Sequence, residues 1–186
     1  MTEIPNFKGA MHEINTSKGL ALRTLTTDDV HDRYVAWMND PEITKYTEQR
    51  YHHHSFDDVQ AFVEAKLDSP NEILFGIFYQ NQHIGNIKLG QINLRHLTAD
   101  LSYFIGDRDC WGAGLASSAI DGVVGFAFTT LKLHKLNAGC YEENIGSIKV
   151  LSKNGFQLEG TFQDQIMFEG RRINALFFGR RNVDLS

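Results

Sequence analysis

Apolar and polar residues alternate through "LALRTL", Leu20–Leu25, the two-residue period of a half-buried strand. The period then lengthens. Thr27 reads as an N-cap with Asp28 and Asp29 in the first turn, and Val30, Tyr34 and Trp37 share a helical face that Pro41 ends shortly after Asn39. A second helix begins at Ser55 and carries Val59, Phe62, Val63 and Leu67 on one side. "EILFGIFY" and "HIGNIKLGQI" return to strand character, joined as a hairpin at Asn81-Gln82, and "ADLSYFIG" follows as a third antiparallel strand. A long helix runs from Leu115 to about Leu131. "HKLNAGCY" is a strand, and "NIGSIKVLSKN" is a helix with Gly155 as its C′ residue. "FQLEGTF" and "INALFFGR" close the chain as paired strands. The order β-α-α-β-β-β-α-β-α-β-β predicts an α+β (mixed α/β) fold, a mixed sheet with helices on both faces. Residues 1–19 are polar and irregular and read as an arm before a single domain, 20–186.

Composition narrows the function classes. The 186 residues suffice for one core, and the net charge of -5 argues against nucleic acid or an anionic membrane surface as partner. It leaves a cationic substrate open. Cys110 and Cys140 form no CxxC pair, which favours a reducing compartment. The N-terminus is too polar for a signal peptide, and no apolar run approaches the ~18 residues of a membrane span. A cytoplasmic protein is expected.

The stretch "CWGAGLASSAI", Cys110–Ile120, opens a helix with two glycines, Gly112 and Gly114. Glycine in a helix costs about 0.5–1 kcal/mol relative to alanine. A pair at a helix start points to a backbone that another group approaches closely. Helix N-termini carry unsatisfied N–H groups and a partial positive charge, so a phosphate or pyrophosphate is the natural guest. A tight turn into a packed helix is the plain alternative. The Walker A pattern is absent, and Ser117 stands where a dinucleotide fingerprint needs its third glycine.

Two motifs then agree. Trp111 to Ala116 match the pattern W-G-x-G-[LIY]-A. Asn144, Ser147, Lys149, Lys153, Gly155, Phe156, Glu159 and Gly160 match N-x-x-S-x-[KR]-x-x-x-[KR]-x-G-F-x-x-E-G. From about Leu20 to Arg180 the chain resembles the GNAT superfamily of N-acetyltransferases, in the branch of ribosomal-protein alanine, spermidine and sugar-biosynthetic acetyltransferases. One departure is Asp109, where the broader motif has Arg or Gln. The resemblance implies the GNAT fold, with a mostly antiparallel sheet, and acetyl-CoA as co-substrate without a metal. It implies that Trp111, Gly112, Ala113, Gly114, Leu115 and Ala116 cradle the pyrophosphate. Phe104, Ile105 and Gly106 would lie beside the thioester, and Asn144, Ser147 and Lys149 would complete the cofactor site.

For acid catalysis, many members use a Tyr seven residues after the Asn of the second motif. That position is Leu151 here, and the resemblance implies Ser147 as the acid instead. The alternative is that Ser147 and Asn144 only hold the pantetheine arm. For the base, Asp100 is the candidate, with Glu42, Glu48, Glu142 and Glu143 as further carboxylates. The segment "WMNDPEITKYTEQR", Trp37–Arg50, is similar to one in sugar-biosynthetic members. It makes Tyr46, Glu48 and Arg50 candidates for binding a nucleotide-linked amino sugar, Arg50 through a bidentate phosphate contact. A protein N-terminus or a polyamine are the competing acceptors. A non-catalytic acyl-CoA-binding protein is the rival class, favoured by Leu151 and Asp109. The adjacent histidines of "YHHHS", Tyr51–Ser55, do not converge on one ion and read as a solvated loop. "INALFFGRR" is a candidate edge strand that would pair two subunits into a homodimer.

Overall fold

Leu20, Leu22 and Thr24 are buried while Ala21 and Arg23 are half-exposed, so the predicted alternation holds and seeds a sheet. The computed structural model describes residues 6–16 and 18–183. Its elements are β1 (Glu13–Asn15), β2 (Leu20–Thr24), α1 (Asp32–Asn39), α2 (Pro41–Thr44), α3 (Phe56–Leu67), β3 (Ile73–Tyr79) and β4 (Gln82–Asn93). There follow β5 (Thr98–Ile105), α4 (Leu115–Thr129), β6 (Lys135–Tyr141), α5 (Ile145–Lys153), β7 (Gln157–Phe168) and β8 (Arg171–Arg181). The eight strands form one sheet in the order β1-β2-β3-β4-β5-β6-β8-β7, so "INALFFGRR", expected as an edge strand, is instead paired on both sides by β6 and β7, and β7 forms that edge. Every neighbouring pair is antiparallel except β5 and β6.

Both faces are covered, as predicted. On one, Leu22, Phe75, Ile87 and Leu101 pack with Ile120 and Val123 of α4 and Leu151 of α5. On the other, Leu74 meets Tyr34 and Trp37 of α1 and Val59 and Val63 of α3. Leu74 and Phe75 are adjacent in sequence and serve opposite faces, which is the pleat at work.

Several expectations shift locally. Thr26, not Thr27, caps a short turn over Thr27–Asp29, and α1 begins only after His31, whose ring accepts from the Tyr34 N–H. Ser55 caps α3 as read, but Phe62 is 42% exposed, because the buried stripe there is only Val59 and Val63 wide. The β3–β4 turn sits one residue earlier, at Gln80-Asn81, both at positive φ (50° and 62°). The closing strands run several residues longer than their apolar alternation showed, since β7 is mostly exposed and pairs through its backbone. The polar arm contributes a strand: Glu13, Ile14 and Asn15 pair with β2. Residues 1–5, Ser17 and 184–186 of the expected spans lie outside the described residues. Among those described, no helix is long and apolar enough to cross a membrane.

A buried polar chain fixes α1 against β4. His83 Nε2 faces two acceptors, the Gly85 carbonyl at 3.0 Å and Asn86 Oδ1 at 2.8 Å, so it carries the proton. His83 Nδ1 is then the acceptor for His31 Nε2 at 3.1 Å, and His31 Nδ1 in turn accepts from Tyr34 N. Both imidazoles are held neutral, and burial pushes His83 down to about 4.

Candidate active site

The β5–β6 ladder is short. Thr98, Ala99 and Asp100 pair with Lys135, Leu136 and Asn137, and then pairing stops. Beyond that rung β5 stays with β4 and β6 stays with β8, so the sheet opens between them. The Gly106 N–H donates to the Ile84 carbonyl at 2.8 Å. Antiparallel alternation therefore turns the Phe104 N–H towards β4 as well, and the N–H groups of Tyr103 and Ile105 towards the opening. Of the expected trio, Ile105 alone presents its amide there. The Phe104 ring packs against Tyr34 and Trp37 on the α1 face, and a Cβ at Gly106 would lie 2.2 Å from Trp37.

The glycine loop adjoins this opening. Trp111 Nε1 donates to the Ile105 carbonyl at 2.8 Å and ties the loop to the end of β5. Gly112 and Gly114 have φ of +74° and +75°, where a side chain is strained, and nothing lies within 4 Å of a Cβ built on Gly112. Gly114 caps α4, whose first internal bond runs from Ser118 N to the Gly114 carbonyl. The N–H groups of Leu115 and Ala116 thus have no partner within the helix. Ala113 and Asp109 are exposed beside them.

Asn144 caps α5, its Oδ1 accepting from the Ser147 N–H at 3.0 Å. That fixes the Ser147 hydroxyl, which lies 2.9 Å from the Tyr103 hydroxyl across the opening. Burial pushes the Tyr103 phenol up to about 12, and it pushes the neighbouring Cys140 thiol up to about 11. Both stay protonated at neutral pH. Leu151 is fully buried core. Lys149 is exposed on α5. Cys110, read as a small buried thiol, is only half-buried.

Asp100 lies on the opposite face from this cluster. Tyr103 is three positions on, so their side chains point oppositely; Asp100 is exposed and accepts from Asn137 Nδ2 at 3.1 Å. The structure does not bring Asp100 and Ser147 together. Tyr141 also faces the Asp100 side. Its hydroxyl donates to Glu48 and accepts from Arg50 Nη1 at 2.9 Å. Burial, with the Glu48 carboxylate beside it, pushes Tyr141 up to about 12. Tyr46 stacks on Phe168 at 5.4 Å between ring centroids. Arg50 is already engaged: it donates to the carbonyls of Lys45, Thr47 and Met167 and to the hydroxyl of Tyr51. Glu142 accepts from Asn174, and Glu143 pairs with Arg171. Among the described residues, no group of three His, Cys, Asp or Glu side chains is arranged to hold a metal ion.

Tyr103 and Tyr141 were missed from sequence. Tyr103 alternates with Ala99 and Leu101 and reads as core, Tyr141 falls in step with Lys135 and Asn137, and only the meeting of distant segments gives either hydroxyl a partner.

The sequence profile of the GNAT acetyltransferase domain matches residues 20–157. The chain is 30% identical over 163 residues to an uncharacterized N-acetyltransferase, p20, of Bacillus licheniformis, covering 86% of this chain and 90% of that one. It is 26% identical over 163 residues to the spermidine N(1)-acetyltransferase of Escherichia coli (strain K12), covering 87% and 85%. Among solved structures, the spermidine N-acetyltransferase of Vibrio cholerae in complex with CoA and spermine superposes with a TM-score of 0.78 at 25% identity, over 87% of this chain and 95% of that one. RimL, a ribosomal L7/L12 α-N-protein acetyltransferase, shares the fold with a TM-score of 0.82 at 18% identity, over 91% and 98%. The sheet opening, the glycine loop at α4 and these likenesses agree: the chain belongs to the GNAT acetyltransferase family and is an N-acetyltransferase.

Proposed function

We propose that this enzyme moves an acetyl group from acetyl-CoA to a primary amine on a small cationic acceptor of the polyamine class. One observation carries the cofactor part. The N–H groups of Leu115 and Ala116, without partners in the helix, follow a Gly112-Ala113-Gly114 loop whose largest side chain is a methyl, and Trp111 fastens that loop to the sheet opening. A pyrophosphate fits that cradle. Asn144, Ser147 and Lys149 extend the surface along α5.

Acetyl-CoA, when bound, supplies the acetyl group as a reactive thioester. The Ile105 N–H, unspent on β4, donates to a carbonyl oxygen placed in the opening; such a preorganised donor is worth about 2.7–4 kcal/mol. As the amine nitrogen attacks the carbonyl carbon and the C–S bond breaks, Ser147 gives its proton to the departing sulfur, and the second proton lost by the nitrogen returns to Ser147 through water. Tyr103 stands behind Ser147 as the next hydroxyl in line. Asp100, on the other face, takes the ammonium proton through water.

The acceptor class rests on charge and on the named relatives. Glu48 and Asp100 lie on the face opposite Ser147, and the spermidine acetyltransferases align over most of the chain. Arg50, the candidate for a sugar-nucleotide phosphate, has both Nη groups committed within the protein. The nucleotide-linked amino sugar remains a second reading through the likeness of Trp37–Arg50.

Calorimetry with CoA on the wild type and Gly114→Glu tests the cofactor, with thermal melts to show that the variant is folded. Binding is expected in the wild type and lost in the variant; no wild-type binding overturns the reading. Thiol release is then measured with spermidine, a nucleotide-linked amino sugar and an alanine-initiated peptide. Spermidine is expected to be fastest, and a faster amino sugar overturns the acceptor assignment.

A further inference from the structure

The N-terminal hairpin is docked on α4 by built contacts. Thr16 Oγ1 and Ser118 Oγ lie 3.0 Å apart. Gly122 makes the room: a Cβ there would lie 2.8 Å from Thr16 Cγ2. The turn is closed by its own backbone, Thr16 N to Leu20 O at 3.0 Å and Gly19 N to Thr16 O at 3.3 Å. Its exposed Lys18 reaches the glycine loop, donating from Nζ to the Ala113 carbonyl at 3.0 Å. The same ammonium lies 2.9 Å from where a Gly114 Cβ would be.

This is an unfavourable place for a cation in the free protein. The start of α4 already carries the positive end of its dipole. Nor is Lys18 neutralised, since it has no carboxylate partner among the described residues. The loop's other cations are committed, Arg33 to Asp107 and Arg108 to Asp40. Position 109, where the family pattern has a basic or amide residue, is an exposed Asp. A dianion at the cradle would reverse this electrostatic conflict.

We propose that Lys18, delivered by the β1–β2 hairpin, is the side-chain cation for the pyrophosphate, doing from another segment what Arg or Gln would do at position 109. Two of its three ammonium protons remain for phosphate oxygens. The proposal rests on the acyl-CoA reading above.

The test is calorimetry of Lys18→Ala, Lys18→Gln and Lys18→Arg against CoA and against dephospho-CoA, which lacks the 3′-phosphate, at two salt concentrations. Loss of the charge is expected to weaken both ligands about tenfold. It should also flatten the salt dependence, raise or leave unchanged the melting temperature of the free protein, and be largely rescued by Arg. Equal affinities for wild type and Lys18→Ala overturn the proposal while sparing the acyl-CoA reading. A loss for CoA but not for dephospho-CoA overturns the pyrophosphate assignment in favour of the 3′-phosphate. Wild type that binds neither ligand overturns the acyl-CoA reading itself.

Discussion

Ser147 and Tyr103 share one hydrogen bond, and their kinetic effects should not be independent. Ser147→Ala is expected to lower kcat about 10²-fold, within the range of a lost general acid, with little change in CoA affinity. Tyr103→Phe removes the second hydroxyl and is expected to cost less. The double variant should fall well short of the product of the two losses; thiol-release kinetics on all three check this. Gly106 predicts a different kind of damage. Gly106→Ala drives a Cβ into the Trp37 ring and is expected to cost about 1–3 kcal/mol in urea unfolding. Because the neighbouring Ile105 N–H would move with it, kcat should drop too. Ser147 was legible from sequence because a motif marks it. Tyr103 was not, because nothing local distinguishes a tyrosine that completes a core from one that meets a serine 44 positions away.

At the scale of elements, α1 and β4 are joined by the His31–His83 chain, and its tautomers predict a pH dependence. Protonating His83 would set its Nδ1–H against the Nε2–H of His31. The folded-state pKa of His83 is about 4, below the ordinary value near 6.5. Above pH 6.5 both folded and unfolded chains are neutral there. As pH falls from 6.5 towards 4, the unfolded chain takes up a proton that the folded one refuses, so stability is lost in that window. Urea midpoints at pH 7.5 and pH 5 should differ accordingly, and His83→Gln should shrink the difference. The Tyr46–Tyr51 loop is a second case. Arg50 pins it to β7 through the Met167 carbonyl, so Arg50→Ala is expected to lower the melting temperature and raise KM for the acceptor without weakening CoA binding. Element types were readable from periodicity. The arm was misjudged because the three residues of β1 carry little pattern of their own and owe their strand to β2.

For the molecule as a whole, the fold was legible because the apolar positions of the strands and helices assign both faces of the sheet. The opening was not, since it is a property of where pairing stops and no side chain records that. An unpaired strand edge on a protein's rim is a template for unwanted association between chains. This protein keeps such an edge inside the sheet, with β6 as the opposite wall. A slender, extended molecule laid along it would complete the ladder. The amides of Tyr103 and Ile105 should therefore exchange with solvent deuterium readily in the free protein and slowly once the ligand is seated, as though a missing strand had been restored.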